Sequence, residues 1–265
     1  MNSGQANVFN NASAYEAYVG RWSRLVGRRF VTWLGVASGA AWLDVGAGTG
    51  ILTQVILDQA SPKKIVAIDL SEHYLAYARQ VIQDDRVEFK VADAGHSALE
   101  APEFDVAVAG LVLNFVPSPD DAVRGMKEAV RAGCTVAAYV WDYGDRMEMM
   151  RHFWDAAAAV DPSSREQDAG AQFTLCDPDH LLALFVSAGL KDIDVTAIDV
   201  QTTFLDFDDF WTPFLGAQGS VSKYLRSLDD DGRAAIRARL VQQLPIQSDK
   251  TIPLTARAWA IKGTR

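Results

Sequence analysis

Between Ala14 and Leu34 the apolar side chains fall at Tyr15, Tyr18, Trp22, Leu25, Val26, Phe30 and Trp33, with Arg21, Arg24, Arg28 and Arg29 interleaved. This spacing predicts one or two amphipathic helices. The pattern then changes: Ala41-Trp42-Leu43-Asp44-Val45 is a short apolar run that stops at glycines, and helical periodicity resumes from Ile51 to Ala60. A strand, a glycine-rich turn and a helix follow one another. The same alternation continues with strands at Lys64–Asp69, Arg86–Val91, Phe104–Ala109 and Thr135–Trp141. A helix carrying Tyr74, Leu75, Tyr77, Ala78, Val81 and Ile82 starts behind Ser71 as N-cap. Another starts with Ser118 as N-cap and Pro119 at its first position, runs to about Arg131 and is closed by Gly133.

Strands alternating with helices at these intervals predict an α/β fold with a doubly wound parallel sheet. Beyond residue 142 the alternation loosens. Met147–Val160 reads as a helix, Asp161–Phe173 as a polar loop, and Asp177-Pro178 as the start of a helix ending near Gly189. Ile193–Thr203 and Thr251–Lys262 read as strands, separated by a mainly helical, aromatic-rich stretch. The whole chain, 1–265, is read as a single domain. Residues 14–34 form a helical N-terminal cover, and 143–175 and 204–250 are insertions forming a lid and acceptor site.

Composition narrows the possible partners. The 34 acidic and 25 basic residues give a formal charge of −9, which repels phosphate backbones and anionic lipid, so no nucleic-acid or membrane partner is expected. No apolar stretch approaches the roughly 20 residues of a membrane span, and Met1–Ser13 lacks the order of a signal peptide. The two cysteines, Cys134 and Cys176, lack CxxC spacing, which fits a reducing cytoplasm. No H-x-x-H or clustered Cys is present, so no metal site is expected.

The chemistry concentrates in Asp44-Val45-Gly46-Ala47-Gly48-Thr49-Gly50. Glycines after a strand let the backbone turn sharply and approach a ligand, while the next helix presents its first N–H groups. A dinucleotide fingerprint would place its third glycine at position 51, which is Ile51. Here the glycines alternate, and Asp44 stands two positions before the first. A carboxylate there repels a pyrophosphate but suits a ligand with an ammonium group and no phosphates, which argues against a nicotinamide-dependent oxidoreductase.

This segment, with Trp42 and Leu43, resembles the first motif of the class I, Rossmann-like S-adenosylmethionine-dependent methyltransferases. Further positions match. Asp69-Leu70 ends the second strand, 19 residues past Gly50, where the family's acidic residue binds ribose hydroxyls. Asp93-Ala94 resembles the adenine-side pair, and Ala109-Gly110-Leu111 the stretch beside the methionine part of the cofactor. The resemblance covers about Tyr15–Tyr143 well and is closest to small-molecule methyltransferases. It implies seven strands with the last antiparallel, S-adenosylmethionine as cofactor with S-adenosylhomocysteine as product, and cofactor contacts from Asp44, Gly46, Ala47, Gly48, Gly50, Asp69, Leu70, Asp93, Ala94, Ala109, Gly110, Leu111, Tyr18 and Arg21. The implied reaction is in-line transfer of a methyl group to an O, N or C atom of a small acceptor. A non-methylating enzyme on the same fold and cofactor is the alternative, and a cofactor-binding protein without turnover a further one.

Methyl transfer requires alignment and exclusion of water more than any fixed nucleophile. A general base is useful only for a hydroxyl, phenol or acidic carbon. His152, Tyr143 and Asn114 are the candidates, on the loops after the fourth and fifth strands and on the lid helix. His73 and His180 are read as structural, and His96 as flanking the cofactor or solvent. Phe204, Phe207, Phe210, Trp211, Phe214 and Leu215 form either a planar or hydrophobic acceptor pocket or simply insertion core, and Asp206, Asp208 and Asp209 are read as helix-start charges. The stretch Leu113-Asn114-Phe115-Val116-Pro117 departs from the N/D-P-P-Y/F tetrapeptide, which argues against amide or adenine nitrogen methylation.

Overall fold

The computed structural model describes residues 20–93, 103–216 and 219–265. Tyr18, Ala94 and His96 lie outside them. The described residues divide into two compact units, one of residues 23–93, 103–140, 175–198 and 258–265, the other of residues 20–22, 141–174, 199–216 and 219–257.

A seven-stranded sheet runs in the order β3-β2-β1-β4-β5-β7-β6. β1 is Ala41–Val45, β2 Lys64–Asp69, β3 Val87–Val91, β4 Phe104–Gly110, β5 Val130–Trp141, β6 Lys191–Phe204 and β7 Ile252–Thr264. Every residue of β1 is buried, as expected for a central parallel strand covered on both faces. β1 pairs in parallel with β2 and β4, β2 with β3, and β4 with β5. β7 runs the other way: the amide of Gly133 near the start of β5 donates to Arg265 O, and that of Asp142, just past its end, donates to Arg257 O. The seven-stranded α/β sheet with one reversed strand is therefore present.

In the first of these units, α1 (Arg21–Leu34) contributes Val26 and Phe30, both fully buried, with the Phe30 ring 4.6 Å from that of Tyr139. α2 (Ile51–Ala60) follows the glycine turn, and α3 (Glu72–Val81) begins where Ser71 Oγ accepts the Tyr74 amide. On the other face of the sheet, α4 (Pro119–Ala129) and α7 (Pro178–Ser187) pack Val123, Met126, Leu181 and Phe185 against Phe104, Val136, Ala138 and Val140. Alternation along β5 sends Tyr139 toward α1 and its neighbours toward α4 and α7. Ser118 Oγ caps α4 and Asp177 caps α7, as expected.

Two expectations are corrected. The helix after Ser118 ends at Ala129, and Val130 already pairs with Phe104; Gly133 does not close the helix but sits within β5 at φ 77°, where the pairing with β4 slips between Phe104 and Val106. Extra residues on one strand require this local bend, and glycine accommodates it. Asp161–Phe173 is not an irregular loop. It contains a 3-10 helix, Pro162–Gln167, and a helical turn α6, Ala169–Gln172, capped by Asp161 and Asp168 through their side-chain oxygens. Asx side chains followed by short polar residues build such turns without apolar periodicity.

The other unit holds α5 (Glu148–Val160), α8 (Phe207–Gly216), α9 (Ser220–Ser227) and α10 (Asp230–Gln243). Its core is aromatic. Phe153 meets Trp154 and Tyr224 edge to face and Phe214 at a tilt, and Phe204, Phe210 and Phe214 follow edge to face. Phe204, Phe210 and Phe214 are completely buried in this core, whereas Phe207 is half-buried and Leu215 is 49% exposed. Among the described residues no helix is long and apolar enough to cross a membrane. Cys134 and Cys176 are not joined in a disulfide.

Candidate cofactor site

The turn after β1 is built by a few backbone bonds. The amides of Gly46 and Ala47 both donate to Ile68 O, at 2.8 and 2.9 Å, tying the turn to the end of β2. The Gly50 amide returns to Ala47 O, and Gly50 O accepts the Gln54 amide, opening α2. Gly46, Gly48 and Gly50 all have positive φ, at 71°, 55° and 85°. Each glycine is required for a distinct reason. A Cβ on Gly46 would stand 2.7 Å from Val112 Cβ, and one on Gly50 2.7 Å from Ile82 Cδ1, whereas a Cβ on Gly48 would meet nothing within 4 Å. The alternating glycines thus let the turn pack closely at two positions and leave an open face at the third.

Two carboxylates frame this turn. Asp69, half-buried at the end of β2, accepts the Gly48 amide on Oδ2 at 2.9 Å and the Ser71 amide on Oδ1 at 2.8 Å. Burial nonetheless pushes its carboxyl above the ordinary value, against the pull of those two bonds. Asp44 is fully buried, with Oδ2 receiving the Thr53 hydroxyl at 2.6 Å and Oδ1 receiving no bond. Desolvation raises it to about 7, with the Thr53 bond opposing and Asp69 adding to the rise. Thr53 was not foreseen. Its only trace in the sequence is a polar residue, nine positions after Asp44, on the apolar stripe of α2.

The end of β4 closes the same side of the sheet. Leu111 holds φ 60° and its amide donates to Tyr139 O at 2.8 Å. A non-glycine residue in this region is a strained point of the kind found at ligand sites. Gly110 is fixed by packing, since a Cβ there would lie 2.8 Å from Tyr139 Oη. Ala109 is fully buried, Asp93 is half-buried just past β3, and Leu70 is 62% exposed.

The remaining candidates are placed as follows. Asn114 lies in the 3-10 turn Leu113–Phe115 with Nδ2 3.7 Å from Cys176 Sγ. In the aromatic unit, Tyr143 is half-buried with its ring 5.6 Å from Phe173. His152 is half-buried on α5, and burial lowers its imidazole below the usual value while Glu148 and Asp155 pull it up. Arg21 pairs with Asp209 in that unit. His73 and His180 are exposed, the latter 3.7 Å from Asp177. Asp208 and Asp209 stand in the first turn of α8, as the sequence suggested.

The donor set fits an adenosyl cofactor bearing an ammonium. One buried carboxylate oxygen lacks a partner, one glycine of the turn faces open space, and Asp69 retains lone pairs beyond the two already used.

A methyltransferase-domain family matches residues 43–138, which contain the end of β1, the turn, β2, β3 and β4. The chain is 22% identical over 213 residues to the malonyl-[acyl-carrier protein] O-methyltransferase of Acetivibrio thermocellus, covering 78% of this chain and 72% of that protein. It is 29% identical over 102 residues to the ubiquinone biosynthesis O-methyltransferase of Azoarcus sp., covering 37% of this chain but only 43% of that protein. The solved phosphoethanolamine N-methyltransferase 2 of Haemonchus contortus, in complex with phosphomonomethylethanolamine and S-adenosylhomocysteine, shares the fold with a TM-score of 0.58 at 16% identity, over 98% of this chain and 57% of that one. Through the glycine turn, the sheet order and the methyltransferase-domain match over residues 43–138, the chain is similar to the class I S-adenosylmethionine-dependent methyltransferases.

Proposed function

We infer that the protein transfers the methyl group of S-adenosylmethionine to an oxygen, nitrogen or carbon atom of a small-molecule acceptor. The observation that carries this reading is the buried Asp44 carboxylate, whose unpartnered oxygen lies immediately before the glycine turn. The relative named for ubiquinone biosynthesis supports a small-molecule acceptor. That Cys134 and Cys176 form no disulfide supports a reducing compartment.

When bound, the cofactor supplies a methyl group already activated by its sulfonium. Asp44 receives the ammonium, the backbone of Gly46–Gly50 lets the ligand lie against the turn, and Asp69 accepts from the ribose hydroxyls. Asp93 and Ala94 take the adenine side, with Leu70 beside it. Ala109, Gly110 and Leu111 flank the methionine part. This set orients the cofactor and excludes water around it, which is most of what an in-line displacement needs. For a hydroxyl or acidic carbon acceptor, His152 is the candidate base; burial lowers its imidazole below the usual value.

Incubation with methyl-labelled S-adenosylmethionine and small-molecule extracts tests the reading. Label in a low-mass product supports it. Cofactor binding with acceptor conversion but no label in the product overturns it in favour of a non-methylating reaction.

A further inference from the structure

Thr53 puts a hydroxyl on the apolar stripe of α2. It is completely buried there with Ile51, Leu52, Val55 and Ile56. A threonine inside a helix ordinarily returns its hydroxyl to the carbonyl four residues back, and Thr32 on α1 does so, donating to Arg28 O at 2.9 Å. Thr53 instead reaches across to β1 and donates to Asp44 Oδ2 at 2.6 Å. A hydroxyl buried among apolar neighbours is costly without a partner, and so is a buried carboxylate; here each satisfies the other.

The bond has two consequences for the carboxylate. It fixes its rotation, because one oxygen is held by a β-branched side chain with little freedom of its own. It also favours the charged form. Burial raises the Asp44 carboxyl most, and the Thr53 hydroxyl opposes this more strongly than the Thr53 amide does, while Asp69 adds to the rise. Other charged groups on the adjoining elements are engaged elsewhere. Lys64 on β2 is in register with Ala41 at the start of β1, Asp105 on β4 accepts the Ala41 amide, and Asp58 on α2 accepts from Gln54 Nε2. Asp44, the turn, Thr53 and Asp69 all belong to one unit.

We propose that Thr53 is a positioning residue for the cofactor: by holding Oδ2 of Asp44 it fixes the carboxylate and reserves Oδ1 for the cofactor's ammonium. Thr53 acts through Asp44 and not by contact with the ligand. The inference rests on the proposed binding of S-adenosylmethionine and names a further residue on which that binding depends.

Calorimetric titration of the full chain with S-adenosylhomocysteine from pH 5.5 to 7.5, in buffers of different ionisation enthalpy, compares wild type with Thr53→Val and Thr53→Ser. Valine replaces the hydroxyl by a methyl of similar size. Thr53→Val is expected to bind about tenfold more weakly at pH 6, with the rise in affinity displaced upward by about one pH unit. It should also release more protons on binding at pH 7.5 than wild type does. Thr53→Ser, which keeps the donor, should restore the wild-type midpoint, and in Asp44→Asn the further change Thr53→Val should leave the pH profile unaltered. An unmoved midpoint in Thr53→Val, or an equal loss of affinity at every pH, overturns the proposal, because packing alone then accounts for Thr53. If Thr53→Val does not fold, Thr53→Cys, whose thiol is a weak donor, is read by the same midpoint. Absence of binding to folded wild type rejects the proposed function and the role of Thr53 with it, whereas wild-type binding with an unmoved midpoint in the variant rejects only the role of Thr53.

Discussion

Asp69 Oδ2 accepts the backbone amide of Gly48 at 2.9 Å, so the carboxylate that we propose for the ribose also fixes the glycine turn. Asp69→Ala is therefore expected to weaken S-adenosylmethionine binding about a hundredfold, since bonds to a charged acceptor contribute about 1.5–3 kcal/mol each. Asp69→Asn, which can still accept one of the two amides, should fall between. Isothermal titration of the three proteins checks the order. Equal affinity in all three would remove Asp69 from the site.

Gly46 and Gly48 should separate by mechanism. Gly46→Ala adds a methyl against Val112 at a backbone angle that disfavours Cβ, and is expected to cost about 3 kcal/mol of stability. Gly48→Ala meets nothing within 4 Å and should cost only about 1–2 kcal/mol, yet lose cofactor affinity because its methyl occupies the open face. Thermal melts paired with cofactor titration distinguish a stability defect from a binding defect.

Asp44 sets a pH dependence whose sign can be worked out. Burial raises its carboxyl from 3.8 to about 7, so between those values the folded state holds a proton that the unfolded state has released. Its contribution to stability is fully present below pH 4 and is lost as pH rises through 7. Asp44→Asn should gain stability relative to wild type over that interval and keep a constant advantage above it. An ammonium ligand favours the ionised carboxylate, so wild-type affinity for S-adenosylmethionine should rise from pH 5.5 to 7 with proton release, and the variant should be weaker and flat. Urea melts across pH, and titrations in buffers of different ionisation enthalpy, measure both effects.

His152 gives a kinetic prediction. With an acceptor hydroxyl, His152→Gln should lower kcat about a hundredfold, abolish the acidic limb of the pH–rate profile and leave the KM for S-adenosylmethionine unchanged. An unaltered kcat would leave the proton to solvent or to another group.

The β–turn–α alternation was legible because parallel strands buried on both faces read as apolar runs between helical stripes; β1 and α2 match the expected bounds at both ends. The glycine turn was legible because its spacing is local. Thr53 was hidden because its hydroxyl matters only once α2 folds back over Asp44. The slip at Gly133 was hidden because it depends on pairing with β4, and a glycine after a helical stripe reads equally well as a helix stop. Asp209 was expected as a helix-start charge and is one, but its pairing with Arg21 spans 188 residues of sequence, a separation no local pattern encodes.

The central claim is that the turn from Asp44 to Gly50 holds S-adenosylmethionine. Calorimetric titration of the full chain with S-adenosylmethionine, alongside NADH, tests it most directly. One-to-one binding of S-adenosylmethionine that is strongly weakened in Asp69→Ala, with no response to NADH, is the predicted result. No heat with S-adenosylmethionine or S-adenosylhomocysteine, from folded protein, would contradict it.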